Sequence, residues 1–266
     1  MGGGHDHAAP GLATGALCAA DAALNAALHG TGAIWWAGSG LIADATGSVT
    51  GWRAGSDGPV AVPTEPNTGH GQIGEAGDLT GLQCRAGVHC GLVARSVAPD
   101  AGCMTLAVRY LPPWGAEART IVTLNTGTGG KKTEGANYLF VSEAEAQITV
   151  KDDAGRVAAH LPAPPQDTPR LVLVTLDHAR LTVALIGGSR ITTTGQGPVL
   201  SGTGHLFIGC RNQRPGLIKT LGGALVTDVW LWPGHAVLGP DGDGDGDGDR
   251  ASMLAMRRFW LWSEES

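Results

Sequence analysis

The chain has 266 residues, 43 of them Gly and 15 Pro, with only 5% aromatic residues, a balance that favours turn-rich β structure over a helical bundle. A formal net charge of −6, with Lys and Arg nowhere in a long cluster, argues against nonspecific binding to nucleic acid or to an anionic membrane surface. Five Cys, an odd count without a CxxC pair, argue against a zinc site and a disulfide framework; reduced thiols are expected, with Cys84 and Cys90 the one pair worth following.

Residues 1–11 are Gly-rich and polar, and His5, Asp6 and His7, although two imidazoles beside a carboxylate, are expected to belong to a solvated tail. The start lacks a basic segment followed by an apolar core, and no apolar run approaches the roughly 18 residues of a spanning helix, so neither classical secretion nor a membrane span is expected. Residues 13–29 are Ala-rich, and Leu17, Leu24 and Leu28 share a stripe that Gly30 closes, which predicts a short helix in need of a partner surface. Residues 1–30 are therefore expected to be an attachment or oligomerisation arm ahead of one domain over 31–266.

Trp36 and Trp52 flank a segment in which Asp44 to Gly47 has the composition of a tight turn with Gly in a left-handed position; structural roles are expected for both Trp. Residues 54–80 show little periodicity and are expected to form a long surface connection. Gly81 to Cys84 and Cys90 to Val93 flank a polar turn. Alternation predicts strands at 104–111, 120–124, 136–142, 146–151, 171–176, 180–186 and 205–209, with turns at 152–155 and 187–189. In 224–232, Leu225, Thr227, Val229 and Leu231 alternate with Val226, Asp228, Trp230 and Trp232. Large residues on both faces predict a deep strand covered on both sides, paired across a loop with 205–209. Short strands at this spacing predict a sandwich or jelly roll.

Residues 240–250 alternate Asp and Gly, and Asp241, Asp243 and Asp245 match the opening of a calcium loop. The bidentate acid that such a loop needs at its twelfth position is replaced by Ser252, so a self-repelling solvated loop is the main expectation and a weak calcium site the alternative. No other cofactor is expected. Asp249 is placed to cap a terminal helix over 252–262.

The order of a strand ending in Ile208-Gly209, a polar loop, Gly222-Gly223-Ala224, a strand carrying Asp228-Val229-Trp230-Leu231-Trp232 and a terminal helix resembles the closing half of laminin-G-like modules. The spacing of Trp36, Gly40, Leu41, Asp44, Gly47, Val49 and Trp52 resembles their opening hairpin, whereas Cys84 stands where that family usually has Phe. The resemblance implies an all-β, two-sheet concanavalin A-like jelly-roll sandwich with short N- and C-terminal helices. It also implies a non-enzymatic glycan-binding or adhesion subunit of a phage-like particle, such as a spike or tail fibre of a phage or gene transfer agent. Such a subunit is made in the cytoplasm and carried outside on the particle. Its partners would be cell-surface polysaccharide, other particle subunits through the arm, and further copies of itself. A purely structural virion adaptor and a polysaccharide hydrolase are the alternatives.

Sugars offer hydroxyl pairs to planar amide and guanidinium groups and apolar ring faces to Trp. The candidates are Trp114, Asn125, Lys131, Lys132, Asn137, Arg211, Asn212 and Arg214, with 211–214 foremost. No catalytic residue is expected: the chain has no Gly-x-Ser-x-Gly, His-Glu-x-x-His or P-loop. The segment Ser142-Glu143-Ala144-Glu145 lacks the third acid of the laminarinase-type Glu-x-Asp-x-x-Glu pattern and lies where a turn is expected.

Overall fold

The computed structural model describes residues 32–65, 69–77, 79–85, 87–112, 119–127, 136–166, 168–212 and 223–238. The arm over 1–30, the Asp-Gly run and the 252–262 helix expectation lie outside these residues. In chain order the described strands are β1 (Ile34–Ala37), β2 (Leu41–Ala43), β3 (Val49–Arg53), β4 (Val60–Pro63), β5 (Gln72–Ala76) and β6 (Leu79–Gln83). There follow β7 (Leu92–Ala98), β8 (Cys103–Leu111), β9 (Arg119–Asn125), β10 (Tyr138–Ala144), β11 (Gln147–Asp152) and β12 (Ala158–Pro162). The last are β13 (Arg170–Asp177), β14 (Arg180–Leu185), β15 (Arg190–Thr194), β16 (Gly204–Ile208) and β17 (Leu225–Pro233).

They form a two-sheet antiparallel sandwich, as expected. The eight-stranded sheet runs β15-β14-β13-β8-β17-β6-β5, with β1 also on β17, and the nine-stranded sheet runs β12-β11-β10-β9-β16-β7-β4-β3-β2. One contiguous apolar layer fills the space between them, as sheet packing requires. Leu106, Val108, Val172, Val174, Val229 and Leu231 of the first sheet meet Val122, Leu124, Leu139, Val141, Val150 and Leu206 of the second.

The two halves of the 205–233 region are not a hairpin. β16 pairs with β7 and β9 in one sheet, while β17 pairs with β8, β6 and β1 in the other. The two strands therefore belong to different sheets. β17 is buried along its length except at Pro233, as its two apolar faces require. Its faces are not those of simple alternation, because the register shifts between Val226 and Asp228. The extra residue there puts Val226 with Val229 and Leu231 in the inter-sheet core, while Trp230 and Trp232 join Leu171 and Leu173 in a second cluster. On the Trp230 side, buried Asp228 pairs with Arg109 and accepts from Trp35 Nε1 at 3.0 Å.

The opening turn is as expected. Asp44 Oδ1 accepts from Thr46 N at 2.8 Å, Thr46 Oγ1 at 2.6 Å and Ser48 N at 3.1 Å, and Gly47 takes φ 79°. The Thr46 bonds, side chain and then backbone, hold the Asp44 carboxyl below its usual range. Trp36 and Trp52 are fully buried, and Trp52 Nε1 donates to the Ala37 carbonyl at 2.6 Å. Residues 54–80 are not a long connection, since they hold β4, β5 and the start of β6; these strands are short and, in β5, mostly exposed, so they carry little apolar alternation.

Two buried histidines are held in their neutral form. His205 Nδ1 accepts the Ser96 amide at 3.0 Å, and His89 Nδ1 lies 3.2 Å from Thr64 Oγ1. Desolvation lowers both pKa values below the ordinary 6.5, helped at His205 by the charge of Arg95. The folded state therefore binds fewer protons than the unfolded chain below that value, so this contribution is complete above pH 6.5 and is lost as pH falls beneath it. Thermal melts between about pH 7 and 5.5 should show the melting temperature falling with pH, and His205→Gln should flatten that slope.

Candidate functional site

The chemistry-bearing surface of the sandwich is the outer face of the nine-stranded sheet at the β10–β11 hairpin. Strand alternation sends Leu139, Val141, Ile148 and Val150 into the core. Phe140, Ser142, Thr149 and Lys151 are thereby left on the opposite face, where with Gln147, Glu145 and Arg211 they line a trough of about 300 Å³. A register shift between Val141 and Ser142 sets Thr120 of β9 opposite Ser142. Thr120 Oγ1 accepts the Arg211 Nε–H at 2.8 Å, and this bond holds the guanidinium 4.0 Å from the centre of the Phe140 ring. Lys151 Nζ lies 5.9 Å from the same ring. Tyr138 tilts against Phe140 with ring centres 5.9 Å apart; burial, with Asp153 next, raises its phenol pKa.

Of the sequence candidates, Arg211 lines the trough and the part-exposed Asn212 follows it. Asn125 shapes the neighbouring loop: its Oδ1 accepts from Gly127 N at 2.7 Å, and its Nδ2 lies 3.5 Å from the Arg211 carbonyl. Asn137 is buried, and its amide donates to Asp152 Oδ2 at 2.8 Å and to the Val199 carbonyl at 2.9 Å; the expected sugar contact is corrected, because both donors serve the fold. Trp114, Lys131, Lys132, Arg214, Asp241, Asp243 and Asp245 lie outside the described residues. Among the described residues no group of three His, Cys, Asp or Glu is placed to hold a metal ion. Sequence reasoning missed Phe140, Gln147, Thr149 and Lys151. For Gln147, Thr149 and Lys151 the signal was the run of polar residues at every second position of a strand whose other positions are Ile148 and Val150; Phe140, an apolar residue of the neighbouring strand, gave none.

The Ser142 to Glu145 segment is not a turn up to its last residue. Glu143 belongs to β10 and points into the core, where Arg170 of the other sheet holds it through Nη2 to Oε1 at 2.8 Å and Nε to Oε2 at 3.1 Å. Tyr110 donates its hydroxyl to Oε2 at 2.8 Å. Glycosidases that use a tyrosine nucleophile exist, but Tyr110 is fully buried, and desolvation together with the Glu143 charge raises its pKa well above the usual value. It is a hydrogen-bond donor in a strut between the sheets. Glu145, exposed in the left-handed turn that joins β10 to β11, is the carboxylate at the trough. Asp153 lies past the other end of that hairpin, roughly 20 Å away along six residue steps, beyond the spacing of either glycosidase carboxylate pair.

No family model and no curated protein matches this sequence. Solved structures do. Trypanosoma rangeli sialidase in complex with sialic acid is 12% identical with a TM-score of 0.59, over 93% of this chain and 39% of that one. A mutant of that sialidase displaying trans-sialidase activity is 12% identical at a TM-score of 0.57, over 92% and 39%, and the sialidase itself is 13% identical at 0.55, over 95% and 38%. This chain thus spans between a third and two fifths of their length. At this identity the likeness establishes the β-sandwich. The expectation of a non-enzymatic adhesion subunit on a phage-like particle is corrected by this finding: the solved structures named here that share the sandwich are sialidases.

Replacing Glu143 by Ala strands the Arg170 charge and the Tyr110 hydroxyl in the core. The expected cost is about 3–5 kcal/mol of unfolding free energy, measured by denaturant titration. Glu143→Gln, which still offers an acceptor, should lose less.

Proposed function

We propose that the chain acts in glycoside hydrolysis, as the sandwich module that holds the glycan for cleavage. The observation that carries this is the trough. A guanidinium, an ammonium, a carboxylate and the polar groups of Ser142, Gln147 and Thr149 converge on one open face of a fold also found in sialidases. Such a set can clasp vicinal hydroxyls with planar and charged groups while the sheet beneath stays rigid. Glu145 supplies the carboxylate of this set, and the polar groups around it support a role in holding the glycan.

The test is incubation of the purified chain with a panel of sialylated and neutral polysaccharides, reading both retention and the release of reducing ends. Release places the cleaving acids within this chain, and retention without release places them on a companion domain of the hydrolase. Neither retention nor release overturns the reading. Arg211→Ala removes one charge-assisted contact and is expected to weaken retention about tenfold or more, with Lys151→Ala acting in the same direction.

A further inference from the structure

The eight-stranded sheet is buried on both faces, although the other sheet lies against only one of them. On the outer face, backbone register sets the side chains in rows across the strands. One row runs Thr182, Thr175, Thr105 and Trp232, and the next runs Ala184, Leu173, Ala107, Trp230 and Trp35. A third holds Leu171, Arg109 and Asp228. In these last two rows Leu171, Leu173, Ala107 and Asp228 are 0% exposed, and Arg109 and Trp230 are 1% exposed. The described members of the apolar cluster that lie beyond the strands are Ala33, Val237 and Leu238. Three side chains of that size, one of them beside the β1 edge, are too few to shield rows that cross from β14 to β1, about 19 Å.

We propose that residues 252–262 form the layer over the second and third rows, as a helix brought onto the outer face by the segment that precedes it. That segment already runs on this face. Past β17 the chain turns at Gly234, with φ 75°, and folds back as a strap on the first row. Thr105 Oγ1 donates to the His235 carbonyl at 2.9 Å and accepts from Val237 N at 2.8 Å, and Leu238 N donates to Thr175 Oγ1 at 3.1 Å. Residues 239–251 then reach at most about 45 Å, enough to return over any part of the face.

The occupant is chosen by shape. Ala184 and Ala107 stand on either side of Leu173 in the second row and leave two hollows there, beside the Trp230 ring that stacks on Trp35 at 5.9 Å. Large side chains are needed to fill them. In a helix over 252–262, Met253, Met256 and Trp260 share one stripe with Leu254 and Phe259 at its flanks, whereas 13–29 offers Leu17, Leu24 and Leu28 among Ala. The length agrees as well: this stretch makes a helix of about 16 Å, close to the roughly 14 Å from β14 to β17.

The first test oxidises the unaltered full chain with brief pulses of hydroxyl radical, native and in urea, and maps the modified side chains by mass spectrometry. Met253, Met256 and Trp260 are expected to react at least about tenfold more slowly in the native chain, equally at every protein concentration. Reaction at the rate seen in urea overturns the proposal. Protection that disappears on dilution also overturns it, because a second copy then covers the stripe. The second test locates the contact, with photoreactive benzoylphenylalanine placed at Met256 or, separately, at Leu24 of the full chain. Irradiation is expected to link position 256, within one molecule, to peptides carrying Ala107, Leu173 or Ala184. Linkage of 256 to any other surface, or linkage to those peptides from position 24 in its place, overturns the assignment.

Discussion

Glu143 reaches from the nine-stranded sheet into a site made by Arg170 and Tyr110 of the other sheet, and a charge buried there permits one relative placement of the two layers. Apolar side chains can slide past one another at small cost, whereas a carboxylate with three donors at fixed positions cannot. Much of this bond set offsets the desolvation of the ions, so the pair specifies geometry more than it adds stability. The consequence reaches the opposite face. With Glu143 pointing inward, Phe140 and Ser142 must point outward, and the Thr120 register shift then sets the height at which Arg211 lies over the ring.

Much of this architecture was legible in the chain, and the limits follow from what alternation encodes. A period of two identifies a strand and the composition of its faces, so 104–111, 146–151 and 171–176 were read nearly to their ends. It does not name the neighbour. Both 205–209 and 224–232 are apolar on two faces, which says that each is deep and leaves open that they lie in different sheets. Nor does it show a bulge, and the extra residue near Thr227 reverses the side on which Val226 falls. Edge strands were lost for a related reason: β15, with Arg190 and three Thr, has no buried face to impose a pattern.

The site was legible in part. Arg211 was found from its loop composition, since cations and amides in a polar loop are visible in sequence. Its partners were not, because Thr120, Phe140 and Lys151 come from three strands and acquire a common surface only through register. Glu143 misled in the opposite direction. An acid beside Ser, Ala and a second acid reads as an exposed turn, and only the fold supplies the Arg170 that makes its burial tolerable.

The same sheet geometry separates the two kinds of chemistry carried by the strand that ends at Ile208. Cys210 turns its sulfur toward Gly91 and the inter-sheet thiols, while its carbonyl accepts from Thr123 Oγ1 at 3.1 Å, and the next residue, Arg211, swings out over Phe140. Two adjacent residues thus address the dry interior and the wet trough. The segment after Cys90 enters β7, which pairs directly with β16 through Leu92 and Ile208. The Cys90 and Arg211 positions are accordingly joined by one ladder of backbone hydrogen bonds.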